Sequence, residues 1–332
     1  MDAILNSGIA WIVALHSLGE WLVAPMKFFS FLGTEEFFML ILPALYWCVD
    51  AGIGLRVGII LLTSSGLNDA LKMAFHGPRP YWFSTQVKAY AAETSFGVPS
   101  GHAQTAAGVW GMLAASLRKW WAWIIAALII LLIGISRVYL GVHFPHDVIL
   151  GWLIGGLLLW LILRLWDPVT AWLKKRTLGQ QILLAFAASM LLLLLSLPGF
   201  LWLQTSGWQV PTDWSENAAA AFPDPEDWPS PVTLDGALTS AGTLFGLAAG
   251  VAWLARQGGF SAAGPGWKRV VRYLLGLVGV LILWYGLGKI LPRGAAILPY
   301  LLRYLRYALV GAWVAAGAPA LFTRLKLVEK GP

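Results

Sequence analysis

The chain has 332 residues, of which 58% are hydrophobic and only 12% charged, with a formal net charge of +7. Soluble domains carry roughly twice that charged fraction, so the composition excludes an ordinary soluble domain; repeated apolar runs near the length of a bilayer crossing point instead to a polytopic membrane protein. The cations fall between those runs, which excludes nucleic acid as their partner, and the single cysteine, Cys48, excludes an internal disulfide or a thiolate metal cluster.

Residues 4–32 are apolar but interrupted by His16, Glu20, Pro25 and Lys27, which predicts a helix lying in the interface or re-entering it rather than crossing. No basic region precedes this stretch, so no cleavable signal peptide is expected. Thr34-Glu35-Glu36 places an oxygen cap ahead of two acids, the pattern of a helix start. From there the apolar runs predict nine crossings, near 34–49, 54–74, 100–117, 121–138, 146–166, 181–203, 237–255, 270–291 and 297–322. The expected fold is an all-α, polytopic membrane helical bundle of about nine transmembrane helices plus an N-terminal interfacial helix. A composition shift near Trp166–Gly179, with a proline and a Lys-Lys-Arg run, separates an expected core over 1–170 from an extension of four crossings over 171–332. Glycines 276, 279, 286 and 288 allow close helix packing within that extension.

Loop charge predicts the orientation. Arg56, then Arg118 and Lys119, then Lys174, Lys175 and Arg176, then Arg256, Lys268, Arg269 and Arg272 follow the odd-numbered crossings, and Arg324, Lys326 and Lys330 follow the ninth. All fall on one side by parity, which the positive-inside rule makes the cytoplasm. The segment 204–236, acidic and proline-rich, falls on the other side as either a lid or a solvated connection.

That outer side also receives the unusual ends of four crossings. Crossing two ends in Lys72 and Arg79-Pro80, crossing three opens with Pro99-Ser100-Gly101-His102, crossing four closes on Ser136-Arg137, and crossing five opens through His143-Phe-Pro-His-Asp147. Charged and titratable groups at the mouths of membrane segments are costly and are usually functional. Phosphoryl transfer asks mainly for positioning and for clamping of charge spread over three oxygens. Lys72, Arg79 and Arg137 supply the cations, and the arginines supply paired donors. Ser100 and Gly101 stand at a helix N-terminus, where backbone amides favour an anion. His143 is the expected nucleophile, with Asp147 holding its other ring nitrogen; His102 is the expected general acid and later the base for water. A metal held by His102, His143, His146 and Asp147 is disfavoured, because three cations aimed at the same place would repel it.

Lys72 with six residues to Arg79-Pro80, then Pro99-Ser100-Gly101-His102, then Ser136-Arg137 with five residues to His143 and three more to Asp147, is similar to the three-part signature of the type 2 phosphatidic acid phosphatase (PAP2) superfamily. The resemblance covers roughly residues 30–165. It implies a helical core, a phosphohistidine intermediate on His143, no metal and no cofactor, with Lys72, Arg79, Ser100, Gly101, His102, Arg137, His143 and Asp147 in the roles above. Arg79-Pro-Tyr-Trp82 and His143-Phe-Pro-His146 also resemble glucose-6-phosphatase, as does a nine-crossing plan. The phrase from Glu93 to Gln104 is more similar to bacterial members.

Bland readings compete at single positions. His76 and His146 read as hydrogen-bonded supports or surface groups, and Tyr81, Trp82 and Phe83 as an interfacial aromatic belt in preference to walls of a substrate mouth. Asn68 and Asp69 either buttress Lys72 or supply packing polarity, and Arg303 and Arg306 read as interfacial anchors in preference to headgroup ligands. The expected function is hydrolysis of a phosphate monoester or diphosphate at the bilayer boundary, with membrane lipids around it. The substrate expected is a lipid phosphate: phosphatidate, phosphatidylglycerol phosphate, polyprenyl diphosphate or a long-chain-base phosphate. The alternatives are a sugar-phosphate phosphatase and, in a different class, a catalytically silent scramblase or transporter. The expected location is the bacterial inner membrane, with the site facing outward.

Overall fold

Without water to satisfy them, backbone amides and carbonyls in a bilayer must pair within the segment, which leaves helices as the economical form for chains this apolar. The computed structural model describes residues 2–328, and no strand occurs among them. In chain order the helices are α1 (Asp2–His16), α2 (Val23–Phe31), α3 (Glu35–Ala44), α4 (Ala51–Phe75), α5 (Pro80–Phe83), α6 (Gly101–Leu117), α7 (Trp120–Tyr139) and α8 (Pro145–Lys174). They continue with α9 (Leu178–Thr205), α10 (Thr212–Ala221), α11 (Asp235–Arg256), α12 (Gly266–Leu281), α13 (Leu287–Ile290), α14 (Ile297–Ala312) and α15 (Ala318–Arg324). One turn of π-helix extends α3 over Leu45–Val49, and others join α12 to α13 and α14 to α15.

Among the described residues, seven helical spans are long and apolar enough to cross a membrane, and they coincide with seven of the nine expected crossings. The other two expected crossings are helical but shorter. The first is the ten residues of α3 followed by a five-residue π turn, and the other is the 17 residues of α6. Helix α6 begins at the cap formed by Ser100 and ends where Arg118 adopts the left-handed conformation, with φ 54°. At 1.5 Å per residue it reaches about 25 Å. The N-terminal segment, expected as one interfacial or re-entrant helix, is two helices bent by 92°. Gly19, at φ 105°, makes the break. Lys330, counted with the basic tail, lies outside the described residues.

The chain divides into two compact units. The first comprises residues up to Phe37, Asn68–Trp160 and Ser196–Thr233. Its core joins Leu5, Ile9 and Ile12 of α1 to Tyr81 and Trp82 of α5, Val142 and Phe144 of the α7–α8 loop, and Val148 of α8. Tyr139 fastens the bent segment to α7: its hydroxyl donates to the Gly19 carbonyl at 2.7 Å, and His16 Nε2 lies 2.7 Å from its carbonyl oxygen. The residues 204–236, expected as a lid or a solvated connection, contain α10, which packs on α5. Asn217 donates to the Trp82 carbonyl, and the amide of Ser230 donates to the carbonyl of Thr94.

The second unit comprises Phe38–Leu67, Leu161–Leu195 and the residues from Leu234 onward. Here α11 and α14 cross at backbone contact: a Cβ on Gly242, Gly246 or Gly311 would meet a carbonyl oxygen of the facing helix within 2.4 Å. Of the four glycines singled out from the sequence, Gly276 lies under the ring of Trp47, Gly279 under Trp313 and Gly288 against Arg306, while Gly286 has open space beside it. Trp47 is fully buried and donates its indole N–H to the Val314 carbonyl at 2.8 Å.

Candidate active site

Helices α6 and α8 set the site's width, because two glycines of α8 let the backbones touch. A Cβ on Gly151 would stand 2.6 Å from the Ser100 carbonyl oxygen, and one on Gly155 would stand 2.2 Å from that of Gln104. The contact places the start of α8, with Asp147, against the start of α6, with Ser100. The amide of Ser100 donates to the Asp147 carbonyl at 3.0 Å. Gly134 of α7 lies under the ring of Trp152, bringing the end of α7 and Arg137 to the same place. Gly97 closes the remaining side. Its amide donates to the Gly77 carbonyl at 2.9 Å, and a Cβ there would collide with the Pro78 carbonyl oxygen.

Within this frame the residues singled out from the sequence converge. His143 and Asp147 are four residues apart and both buried, with His143 Nδ1 3.3 Å from Asp147 Oδ2. The same carboxylate oxygen accepts the Phe144 amide at 2.9 Å, which holds the aspartate in place. His143 Nε2 faces the other way and lies 2.8 Å from Nη1 of Arg79. Arg79 is fully buried; it also donates to the carbonyls of Val142 and Ser95 and to the Ser95 hydroxyl. Lys72 donates to that same hydroxyl at 2.8 Å. Arg137 donates to Ser30 of α2 and to Glu93.

His102 sits in the first turn of α6, within electrostatic reach of Arg137, Glu93, Lys72 and Arg79. Its Nε2 is buried and has no hydrogen-bond partner. The turn that begins α6 is partly used within the fold. The Ser100 hydroxyl accepts the Ala103 amide, and the Ser100 amide is committed to Asp147, so anion contacts from this turn fall to the amides of Gly101 and His102. Asn68, a possible buttress of Lys72, instead donates to the Pro99 carbonyl and the Gln104 side chain, and so braces the turn. His146 Nε2 lies 3.2 Å from Asp147 Oδ1 without hydrogen-bond geometry. Tyr81 and Trp82 are buried in the core, not arrayed as a belt.

Sequence reasoning missed Glu93, Ser95 and Ser30. The carboxylate of Glu93 bridges Arg79 at 3.3 Å and Arg137 at closer range. Burial alone would raise its pKa, but the two guanidinium groups override that and hold it well below the usual carboxylate range. One signal for it existed: Glu93 is the only acid between Asp69 and Asp147 in a stretch carrying all three cations. Burial first, then Arg79 and Arg137, push His143 well below the ordinary imidazole value, so its ring is neutral and Nε2 carries a lone pair. Among the described residues no group of three or more His, Cys, Asp or Glu is arranged to hold a metal ion.

The family described as the PAP2 superfamily matches residues 53–171, and the one described as PAP2 superfamily phosphatase, transmembrane extension, matches residues 238–330. Phosphatidylglycerophosphatase B of Bacillus subtilis (strain 168) is 35% identical over 155 residues, covering 43% of this chain and 74% of that protein. The chain belongs to the PAP2 superfamily. Another relative, glucose-6-phosphatase 3 of Bos taurus, is 31% identical over 187 residues, 49% of this chain and 54% of the relative. This chain spans 54% of the length of the glucose-6-phosphatase 3 proteins of Bos taurus and Homo sapiens. The crystal structure of a transmembrane PAP2 type phosphatidylglycerolphosphate phosphatase from Bacillus subtilis is 30% identical, covering 51% of this chain and 89% of that one at a TM-score of 0.44. The seven long apolar spans and the match to the transmembrane extension make this superfamily member a multi-pass membrane protein.

Proposed function

We propose that the protein is an integral membrane phosphohydrolase that removes phosphate from a monoester or diphosphate, most simply of a lipid, through a phosphohistidine on His143. The observation that carries the reading is the division of labour on one imidazole: Nδ1 turns to Asp147, while Nε2 points at the guanidinium of Arg79. In the forward step Nε2 attacks phosphorus and the P–O bond to the leaving group breaks. Asp147 stabilises the imidazolium as positive charge develops. His102 gives its proton to the departing oxygen, then takes one from the water that cleaves the P–N bond and releases phosphate. Lys72, Arg79 and Arg137 hold the equatorial oxygens, with the turn capped by Ser100 offering the amides of Gly101 and His102.

An incoming phosphate must compete with Glu93, which already bridges two of the three cations. A dianionic phosphate, offering more charge and more acceptor oxygens than one carboxylate, is suited to win that competition. The intact His143–Asp147 pair also argues against a silent transporter. We further propose that residues 1–170 form the catalytic core and 171–332 an extension, in keeping with the separate family matches. An outward-facing site in a bacterial inner membrane is supported by loop charge. Along α6, α7 and α8, the ends opposite the site carry Arg118, Lys119 and Lys174. A sugar phosphate is the second reading, favoured by the similarity to glucose-6-phosphatases.

The test is phosphate release by the purified protein from phosphatidate, phosphatidylglycerol phosphate and glucose 6-phosphate, with His143→Ala as control. Activity is expected to persist in strong chelator and to be blocked by vanadate. Release at the wild-type rate by His143→Ala would overturn the mechanism, and activity lost in chelator and restored by a divalent ion would replace it with a metal route.

A further inference from the structure

The second unit contains a cavity of about 240 Å³ whose lining includes Asp235, Tyr300 and three arginines, Arg293, Arg303 and Arg306. Arg303 and Arg306 are one turn apart on α14, and Arg293 comes from the short connection before that helix. Their positive charge exceeds the lone carboxylate among the lining residues by two. Arg303 is already engaged: its guanidinium pairs with the Asp235 carboxylate at 3.0 Å and donates to the Asp235 carbonyl and the Thr239 hydroxyl. The other two are held more lightly. Arg293 donates to the Gly288 carbonyl at 3.3 Å, and Arg306 stacks on Tyr307 with its Nε buried and unpartnered. The Tyr300 hydroxyl, also lining the cavity, is likewise buried without a partner. Buried donors left unpaired call for an explanation, and two arginines and a tyrosine lining one cavity offer the multi-donor chemistry that oxyanions fit.

We infer that this cavity is a second anion site, separate in sequence from the catalytic residues, which binds a phosphate group through Arg293, Arg306 and the Tyr300 hydroxyl. Its volume lies below the roughly 300–1,000 Å³ of pockets that enclose a drug-sized ligand, so it suits a phosphate-scale group, not an entire lipid. The phosphate could come from the headgroup of an anionic lipid or from free phosphate.

The test uses the full chain in nanodiscs of phosphatidylcholine alone or with added phosphatidylglycerol, whose diester phosphate is read by lipid retention in native mass spectrometry. A second arm measures the stoichiometry of radiolabelled inorganic phosphate bound in phosphatidylcholine discs. With a lipid source, phosphatidylglycerol binds the Arg293→Gln/Arg306→Gln variant about tenfold more weakly than the wild type, while Arg324→Gln binds as the wild type does. With free phosphate as the source, the double variant loses one bound phosphate and keeps the one assigned to the catalytic cradle. Tyr300→Phe preserves shape and guards against a double variant that fails to fold; its expected loss is about threefold. Unchanged binding of both probes in Tyr300→Phe, or in a folded double variant, would overturn the site.

Discussion

Two fully buried arginines, one in each unit, are held by different kinds of partner. Arg272 of α12 donates to the backbone carbonyls of Ser261 and Ala262 at 3.3 and 3.0 Å. Arg79 shares its donors among two carbonyls, a hydroxyl, an imidazole nitrogen and the carboxylate of Glu93. Carbonyls are neutral and fixed by the chain, so they suit a cation whose task is to hold a loop to a helix. A side-chain carboxylate can swing away, and it balances Arg79 and Arg137 together. Burial of a cation therefore does not mark a functional site; the exchangeability of its partner does.

The largest expected break between the two regions is catalytic. His143→Ala should lower kcat/KM for phosphate release on the order of 10⁴-fold, whereas Arg272→Met should leave turnover per folded molecule unchanged; comparable losses in both would erase the distinction. His102→Gln, removing the proton donor, should cost about 10²–10⁴-fold, and a leaving group that departs without protonation should recover much of it.

A smaller effect concerns stability. Glu93→Gln should lower unfolding stability by about 3 kcal/mol, because Arg79 and Arg137 lose their shared counter-charge. Vanadate should then raise the thermal midpoint of this variant more than that of the wild type. The pKa of Glu93 lies below its ordinary value of 4.5. Its stabilising contribution is therefore complete above that value and lost as pH falls through the folded-state pKa. Arg272→Met leaves two carbonyls without their donor and should cost about 1–3 kcal/mol, with no rescue by vanadate.

The smallest expected change is in the pH profile. His143 is held below the ordinary imidazole value of 6.5, so the acid limb of kcat/KM should fall below that pH. Arg79→Gln removes a positive neighbour and should move the limb upward. An unmoved limb would mean that another group governs it.

Much of this was legible before any coordinates. Lys72, Arg79, Arg137, His143 and Asp147 are conspicuous because charge at the ends of apolar runs is rare, and helical parity brings those ends to one side. Glu93 was harder to see. It lies in an irregular loop, where no periodicity says which way a side chain points, and its partners are 14 and 44 residues distant. Ser30 was harder still, since a lone serine in an apolar helix carries no pattern. The break at Gly19 and the π turns, which depend on tertiary packing, were equally hidden; so was the shortness of α6, whose apolar character continues into Trp120 beyond the left-handed Arg118.

The bridging carboxylate has a consequence for turnover. A cationic cradle with no anion of its own would hold more tightly to the inorganic phosphate it produces. In the proposed cycle, Glu93, tethered beside Arg79 and Arg137, would compete with each product phosphate at high local concentration. On this proposal the side chain displaced at the start of a cycle would hasten its end.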